Sequence, residues 1–271
     1  GRLSAYRERV EGYATKALRE AKEMTSWAVP NEAYERATLD FIGRLLDSTR
    51  RNVFLDDFRP FAARIAALGM INGLAQKAVT LAAPGVPDIY QGTELWDLSL
   101  VDPDNRRPVD YELRQRLLDG LPRIDGAGSA EAVRALYDDW ASGAVKLHLV
   151  KRMLELRARH ERLFKEGGYQ PLETGGTRAE ALFAFARRRG EEGPALILAV
   201  PRLVASLWSD EPPPAGAPAW GDTGLILPPD LARDGVNWLT GETIRPTERG
   251  PASVFTAGEL FRTFPVAAIV L

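Results

Sequence analysis

The chain has 271 residues, 45% hydrophobic and 27% charged, with a net charge of −2 and a pI near 5.9. Such a balance fits an ordinary two-domain globular chain, and its scattered basic residues argue against a nucleic-acid surface. With no cysteine there is no disulfide framework, no thiol nucleophile and no thiolate metal site. The two histidines, His148 and His160, lie on one expected helix and point ~120° apart at ~100° per residue. They cannot share a metal, and neither a metal nor a cofactor is expected. No apolar stretch approaches the ~20 residues of a membrane span, and nothing near the start resembles a signal peptide. Gly1-Arg2-Leu3 enters a helical pattern directly, so the chain reads as a fragment of something longer.

Apolar residues at Leu3, Tyr6, Val10, Tyr13, Ala17 and Met24 predict an amphipathic helix over 3–24. Its charged face is expected to be solvated. Pro30 forbids continuation, and Asn31 is placed to cap a second helix with Tyr34, Ala37, Phe41, Ile42 and Leu45 turned inward. Trp27 stands in the polar turn between them. Residues 56–81 predict a long helix that is apolar on nearly every side and therefore buried on most sides. Pro84-Gly85 then leads into a short apolar run, Val86–Tyr90, read as a brief strand. A helix, a Gly-containing turn and an apolar strand are the syntax of parallel α/β structure.

Polar groups crowd the segment after that run. Gln91, Thr93, Glu94 and Trp96 come first, then Asp102, Asp104, Asn105, Arg106 and Arg107. Amides, carboxylates, guanidinium forks and an indole are the chemistry that binds many hydroxyls at once. The plainer reading of Asp-Pro-Asp-Asn is turn chemistry, with the arginines bridging loop carboxylates. Asp88, inside an apolar run, is expected to be buried and paired.

Helices are expected from Tyr111 to about Gly120, over 130–141 and over 143–163, the last with Leu147, Val150, Leu154 and Ala158 on one face. Gly167-Gly168 marks a boundary between domains 1–166 and 167–271. Beyond it the period becomes strand-like at 181–186, 195–200, 203–208, 224–227, 236–239 and 266–271, separated by Gly, Pro and Asp turns. This is the pattern of a small antiparallel β-sandwich. Pro212–Pro218 reads as a semi-rigid loop. Trp208, Trp220 and Trp238 fall in apolar runs and are read as core, not as a starch-binding surface.

At GVPDIYQGTELWD and SLVDPDNRRPVDY the sequence resembles the maltooligosyl trehalose synthases of the α-amylase superfamily. REAKEMTSW near the start, Phe185-Ala186-Arg187-Arg188, Val200-Pro201-Arg202-Leu203, Trp220-Gly221-Asp222-Thr223 and Phe264-Pro265-Val266-Ala267 extend the resemblance along nearly the whole chain. It implies the carboxyl-terminal part of a (β/α)8 barrel with helical insertions, followed by the β-sandwich domain, in a cytoplasmic enzyme. The implied reaction turns the reducing-end α-1,4 link of a maltooligosaccharide into an α,α-1,1 link without a cofactor. Related enzymes use an Asp nucleophile, a Glu acid/base and an Asp in a His-Asp motif. This chain has no His-Asp pair, so no catalytic residue is expected in it and the triad is expected in an amino-terminal remainder. The expected sugar contacts are Tyr90, Gln91, Glu94, Asp104, Asn105, Arg106 and Arg107. Two alternatives remain: a non-catalytic carbohydrate-binding or assembly module, and another transglucosylase of the superfamily.

Overall fold

The computed structural model describes residues 2–124, 128–190, 193–207 and 219–271. The chain forms two compact units, Gly1–Ala63 with Asp97–Val109, and Arg64–Trp96 with Asp110–Leu271. Gly167-Gly168 is where helices give way to strands along the chain, but the compact units divide elsewhere.

The first unit holds α1 (Arg2–Ala21), α2 (Glu32–Leu45) and the start of α3 (Val53–Ala82). Asn31 caps α2, its side-chain oxygen accepting from the Tyr34 N–H at 3.2 Å. Asn52 serves two helix ends with one amide. Its Nδ2 donates to the carbonyls of Arg44, Leu45 and Asp47, and its Oδ1 accepts from the Leu55 N–H. Groups that helix ends leave unpaired are thereby satisfied. The inward faces differ from expectation. Tyr6, Tyr13 and Met24 on or after α1, and Tyr34 and Phe41 on α2, stand exposed. Glu35 and Gly43 are the buried residues of α2, for an electrostatic reason. Arg19 donates to both Glu35 oxygens at 2.8 Å, and Thr25 Oγ1 adds a bond of 2.6 Å. These bonds, Arg19's first, hold the Glu35 carboxyl down at about 2. A buried carboxylate so satisfied is tolerable, and the charged face of α1 is used rather than merely solvated.

The second unit contains the rest of α3, then α4 (Tyr111–Asp119), α5 (Ser129–Asp138), α6 (Ala144–Arg159), α7 (Glu161–Glu166) and α8 (Ala257–Leu260). Its strands are β1 (Gly168–Pro171), β2 (Thr174–Gly175), β3 (Leu182–Arg188), β4 (Ala195–Pro201), β5 (Gly224–Leu227), β6 (Gly235–Asn237), β7 (Thr243–Ile244), β8 (Thr247–Arg249), β9 (Ala252–Thr256) and β10 (Ala267–Val270). They form a six-stranded sheet in the order β1-β3-β4-β10-β6-β7 and a four-stranded sheet in the order β2-β5-β9-β8. The pairings described are antiparallel. Side-chain alternation sorts the larger sheet into two faces. Phe185, Leu196, Leu198, Val200 and Ala268 join the core made with α3, α5, α6 and α7. Ala184, Ala186, Ile197, Ala199, Ala267 and Ile269 join the core made with Leu225, Leu227 and Phe255 of the smaller sheet.

Several expectations are corrected. Val86–Tyr90 is not a strand, and Val86 is 97% exposed. A strand needs a ladder partner, and none of the described strands pairs with this segment. Asp88 is exposed, so water solvates its charge. Residues 204–206 make a 3-10 turn after Leu203, whose φ is +49°; Trp208 and the 212–218 loop lie outside the described residues. Leu154 and Ala158 face outward, because α6 buries Val145, Leu149, Met153 and Leu156 instead. The 30-residue α3 is long and apolar enough to cross a membrane by composition, contrary to the sequence reading. Ile71, Leu74, Ala78, Leu81 and Ala82 in its second half are fully buried, whereas Phe58 and Phe61 in its first half are exposed.

Arg187 ties this unit together. It is 1% exposed and faces backbone carbonyls. Its Nε donates to Gly168, Nη1 to Ala82, and Nη2 to Leu163, Phe164 and Gly167, at 2.9–3.3 Å. Beside it, Arg157 donates to the carbonyls of Leu81 and Gly85. Arg187→Met should lower stability by at least ~3 kcal/mol, since bonds from a charged donor are worth ~1.5–3 kcal/mol each. Arg187→Lys should recover little of it, because one ammonium cannot reproduce a fork. Denaturant midpoints at constant slope measure both; a loss under ~1 kcal/mol in the Met variant would contradict this role.

His148 is fully buried on α6, 2.8 Å from the Leu239 carbonyl through Nε2 and edge-on to Phe264. Burial, the main cause, lowers its pKa to about 4. The native ring is therefore neutral while the unfolded ring takes a proton near 6.5. Stability is full above ~6.5, falls as pH drops toward ~4, and then levels off. The contribution lost is on the order of 3 kcal/mol. His148→Leu should remove that slope from the pH dependence of unfolding; an unchanged slope would refute it.

Candidate functional site

The residues expected to touch sugar fall in both compact units. Tyr90, Gln91 and Glu94 belong to the second unit, and Asp104, Asn105, Arg106 and Arg107 to the first.

In the first unit, residues 97–109 form a strap fastened to α1. Arg9 forks onto Asp104, with Nε to Oδ1 and Nη2 to Oδ2 both at 2.8 Å, and Nη2 also reaches the Leu98 carbonyl. The Leu100 N–H donates to Asp104 Oδ2 at 2.6 Å. Chiefly through Arg9, the Asp104 carboxyl is held down at about 2. Lys16, two turns along α1, donates to the Asp102 carbonyl at 2.6 Å. Arg107 returns to the Asp104 carbonyl at 2.9 Å and to Ser99 Oγ at 3.1 Å, while Arg106 pairs with Asp102. Asn105, Arg106 and Arg107 remain exposed at the tip. The sequence reading missed Arg9 and Lys16. Their spacing of seven puts them on one helix face, but nothing local names a partner so distant in sequence.

In the second unit, Tyr90–Thr93 is a tight turn. The Tyr90 carbonyl accepts from the Thr93 N–H at 3.0 Å and from its hydroxyl at 2.7 Å. Gly92 takes φ +90°, a conformation that side-chain-bearing residues resist. Arg114, also missed from sequence, donates to the Gly92 carbonyl at 2.6 Å, to Glu94 Oε2 at 3.2 Å and to the Asp110 carbonyl at 2.9 Å. Tyr111 Oη donates to Gln91 Oε1 at 3.4 Å, a long bond. Trp96 is a pin: its Nε1 donates to the Trp140 carbonyl at 2.5 Å, and Lys146 stands 5.5 Å from its ring. Tyr90, Gln91 and Tyr111 are left exposed beside a half-buried Glu94. A phenol, an amide and a carboxylate on or beside this turn, with the Tyr111 phenol at the start of α4, can donate to and accept from adjacent hydroxyls. Among the described residues no three His, Asp or Glu side chains gather as a metal-ligand set.

The β-structure offers less. Trp220 is buried against Phe261. Trp238 donates to the Arg152 carbonyl at 2.7 Å and has Arg152 and Arg159 over its ring. Neither ring stands free for a sugar.

No protein-family model matches the chain. A Mycobacterium tuberculosis protein assigned as a maltooligosyl trehalose synthase is 33% identical over 267 residues, which cover 98% of this chain and 29% of that protein. The solved maltooligosyltrehalose synthase of Arthrobacter ramosus matches with a TM-score of 0.74 at 36% identity, over 97% of this chain and 30% of that one. The chain thus spans about three-tenths of the length of these relatives.

The strap is testable by a double-mutant cycle. Arg9→Ala and Asp104→Ala should each destabilise the protein, and together by less than their sum. A coupling of ~1–3 kcal/mol is expected for a two-point charged hydrogen bond. Additive losses would mean the fork contributes nothing of its own.

Proposed function

We propose, from the homology of nearly the whole chain to part of the maltooligosyl trehalose synthases, that it is the carboxyl-terminal portion of such an enzyme. The observation that carries this reading is that 97% of the chain follows the Arthrobacter ramosus fold at 36% identity. In this reading α3 and the segment through Tyr90 form the last helix–strand unit of a (β/α)8 barrel. Val86–Tyr90 then gains its ladder from a strand outside this chain, and the two antiparallel sheets are the closing sandwich domain. Exposed Phe58 and Phe61 on α3 are assigned to contact with that remainder.

The proposed reaction converts the α-1,4 link at the reducing end of a maltooligosaccharide into an α,α-1,1 link. Retaining chemistry suits it. With catalytic carboxyls ~5–5.5 Å apart, a covalent glycosyl-enzyme forms by direct attack. The released glucose then resolves that intermediate through its own anomeric hydroxyl, with net retention and no net hydrolysis. Water must be shut out while the glucose reorients. The catalytic carboxylates are assigned to the part of the relatives that this chain does not cover. Gln91, Glu94, Asn105 and the arginines at 106 and 107 are proposed to hold sugar hydroxyls.

Purified 1–271, incubated alone with maltopentaose, should give no non-reducing product, whereas the intact enzyme should. Reducing sugar that falls in proportion to the amount of this chain would overturn the assignment of the catalytic pair.

A further inference from the structure

We propose that Arg114 is a positioning residue that sets the Tyr90–Glu94 turn as a sugar-binding edge, and that Tyr111 is a further sugar contact beside Gln91. This inference rests on the reading above that the turn lies at the enzyme's substrate site.

The geometry around Arg114 is specific. Each nitrogen of its guanidinium meets a different acceptor, with Nε on the Glu94 carboxylate, Nη1 on the Asp110 carbonyl and Nη2 on the Gly92 carbonyl. Its side chain is 18% exposed, and the bonds to Glu94 and Gly92 are partly sheltered from competing water, while the bond to Asp110 is exposed. Asp110 is the N-cap of α4, accepting from the Leu113 N–H at 2.8 Å. The fork therefore joins the turn to the first turn of a helix. Only a planar cation with several donors can hold two carbonyls and a carboxylate together. A lysine's donors sit on one nitrogen and lack the spread of the fork that meets all three acceptors.

The chemistry it leaves available matches a pyranose. Arg114 meets Glu94 through Oε2, which leaves Oε1 of that half-exposed carboxylate for a hydroxyl. Gln91 Oε1 takes only the long 3.4 Å bond from Tyr111, an arrangement that a ligand hydroxyl can replace. Tyr90 and Tyr111 are 49% and 61% exposed, supplying ring faces for the apolar side of a sugar and two phenolic hydroxyls for its edge. The turn is thus rigid in its backbone and unspent at its tips.

The test uses the intact enzyme and maltopentaose, with Arg114→Ala, Arg114→Lys, Tyr111→Phe, Tyr111→Ala and Gln91→Ala. Melting temperature, KM and kcat are measured for each, with hydrolysed glucose measured alongside the isomerised product. Gln91→Ala and Tyr111→Ala should raise KM at unchanged melting temperature, with Tyr111→Phe milder. Arg114→Ala should raise KM about tenfold to a hundredfold, the loss of charge-assisted bonds expressed as a ratio, and should raise the hydrolysed fraction. Arg114→Lys should restore melting temperature but not KM. If Arg114→Lys also restores KM, or Arg114→Ala lowers melting temperature with normal KM, Arg114 is scaffold and the proposal fails. Wild-type KM for Gln91→Ala and both Tyr111 variants would instead remove the turn from the substrate site, and with it the underlying reading.

Discussion

A buried guanidinium facing backbone carbonyls is the interaction on which the second unit depends. The last carbonyls of a helix lack intrahelical partners and carry about half a negative charge between them. Arg187 collects such carbonyls from the end of α3 at Ala82 and from the last turn of α7 at Leu163 and Phe164. The desolvation that lowers its pKa is offset by dipoles rather than by a carboxylate. Because Arg187 belongs to β3, the same bonds fix the six-stranded sheet against two helix ends. Remove the cation and the carbonyls of Ala82 and Phe164 must find another donor in a dry interior, while Leu163 keeps only the Gly167 N–H.

That anchorage determines where the candidate site begins. Arg157 fixes Leu81 and Gly85 just where α3 ends, so the segment toward Tyr90 leaves from a defined point. Its far end is defined as well, by Trp96 on the Trp140 carbonyl and by Lys146 on the Leu95 carbonyl. Gly143 makes that far attachment possible. It takes φ +80°, and a Cβ there would stand 3.2 Å from Leu95 Cβ. Between these ends Arg114 holds the middle. An irregular segment without a ladder partner thus gains its order from side-chain cations acting on carbonyls.

The parts of this arrangement that follow from local rules were legible in the sequence. Asn31 as a cap, Gly224–Leu227 as a strand and the change of period after Gly167 each depend on neighbours within a few residues. The short polar strands β1, β2, β7 and β8 were not legible, since two to four residues cannot display an alternation. Nor was the true inner face of α2. Its apolar pattern pointed to Tyr34 and Phe41, yet the Arg19–Glu35–Thr25 network turned Glu35 inward. An oriented charge pair outweighed a weak stripe. Val86–Tyr90 shows a different limit, because its apolar residues match a buried strand while no described strand lies alongside. The residues of the candidate site were visible by type, but their supports (Arg9, Lys16, Arg114) were not, because they act across long sequence separations.

The supports also divide the candidate residues by what remains free on them. Asp104 already accepts from both ends of the Arg9 fork and from the Leu100 N–H, so a sugar hydroxyl would have to compete with a charged donor at 2.8 Å. Arg107 is partly committed to the Asp104 carbonyl and to Ser99. Asn105 projects exposed from the tip, and Arg106, exposed beside it, is paired with Asp102 through Nε. The same division holds in the Tyr90–Glu94 turn, where the backbone of Gly92 is bound and the tips of Gln91 and Tyr111 are held only loosely. A group fully engaged by its own protein orients its neighbours, and a group left half-engaged can exchange its weak partner for a ligand at small cost. On that ground Asp104 and Arg114 set geometry, and Gln91, Tyr111 and Asn105 are the groups left with polar atoms least engaged by their own protein.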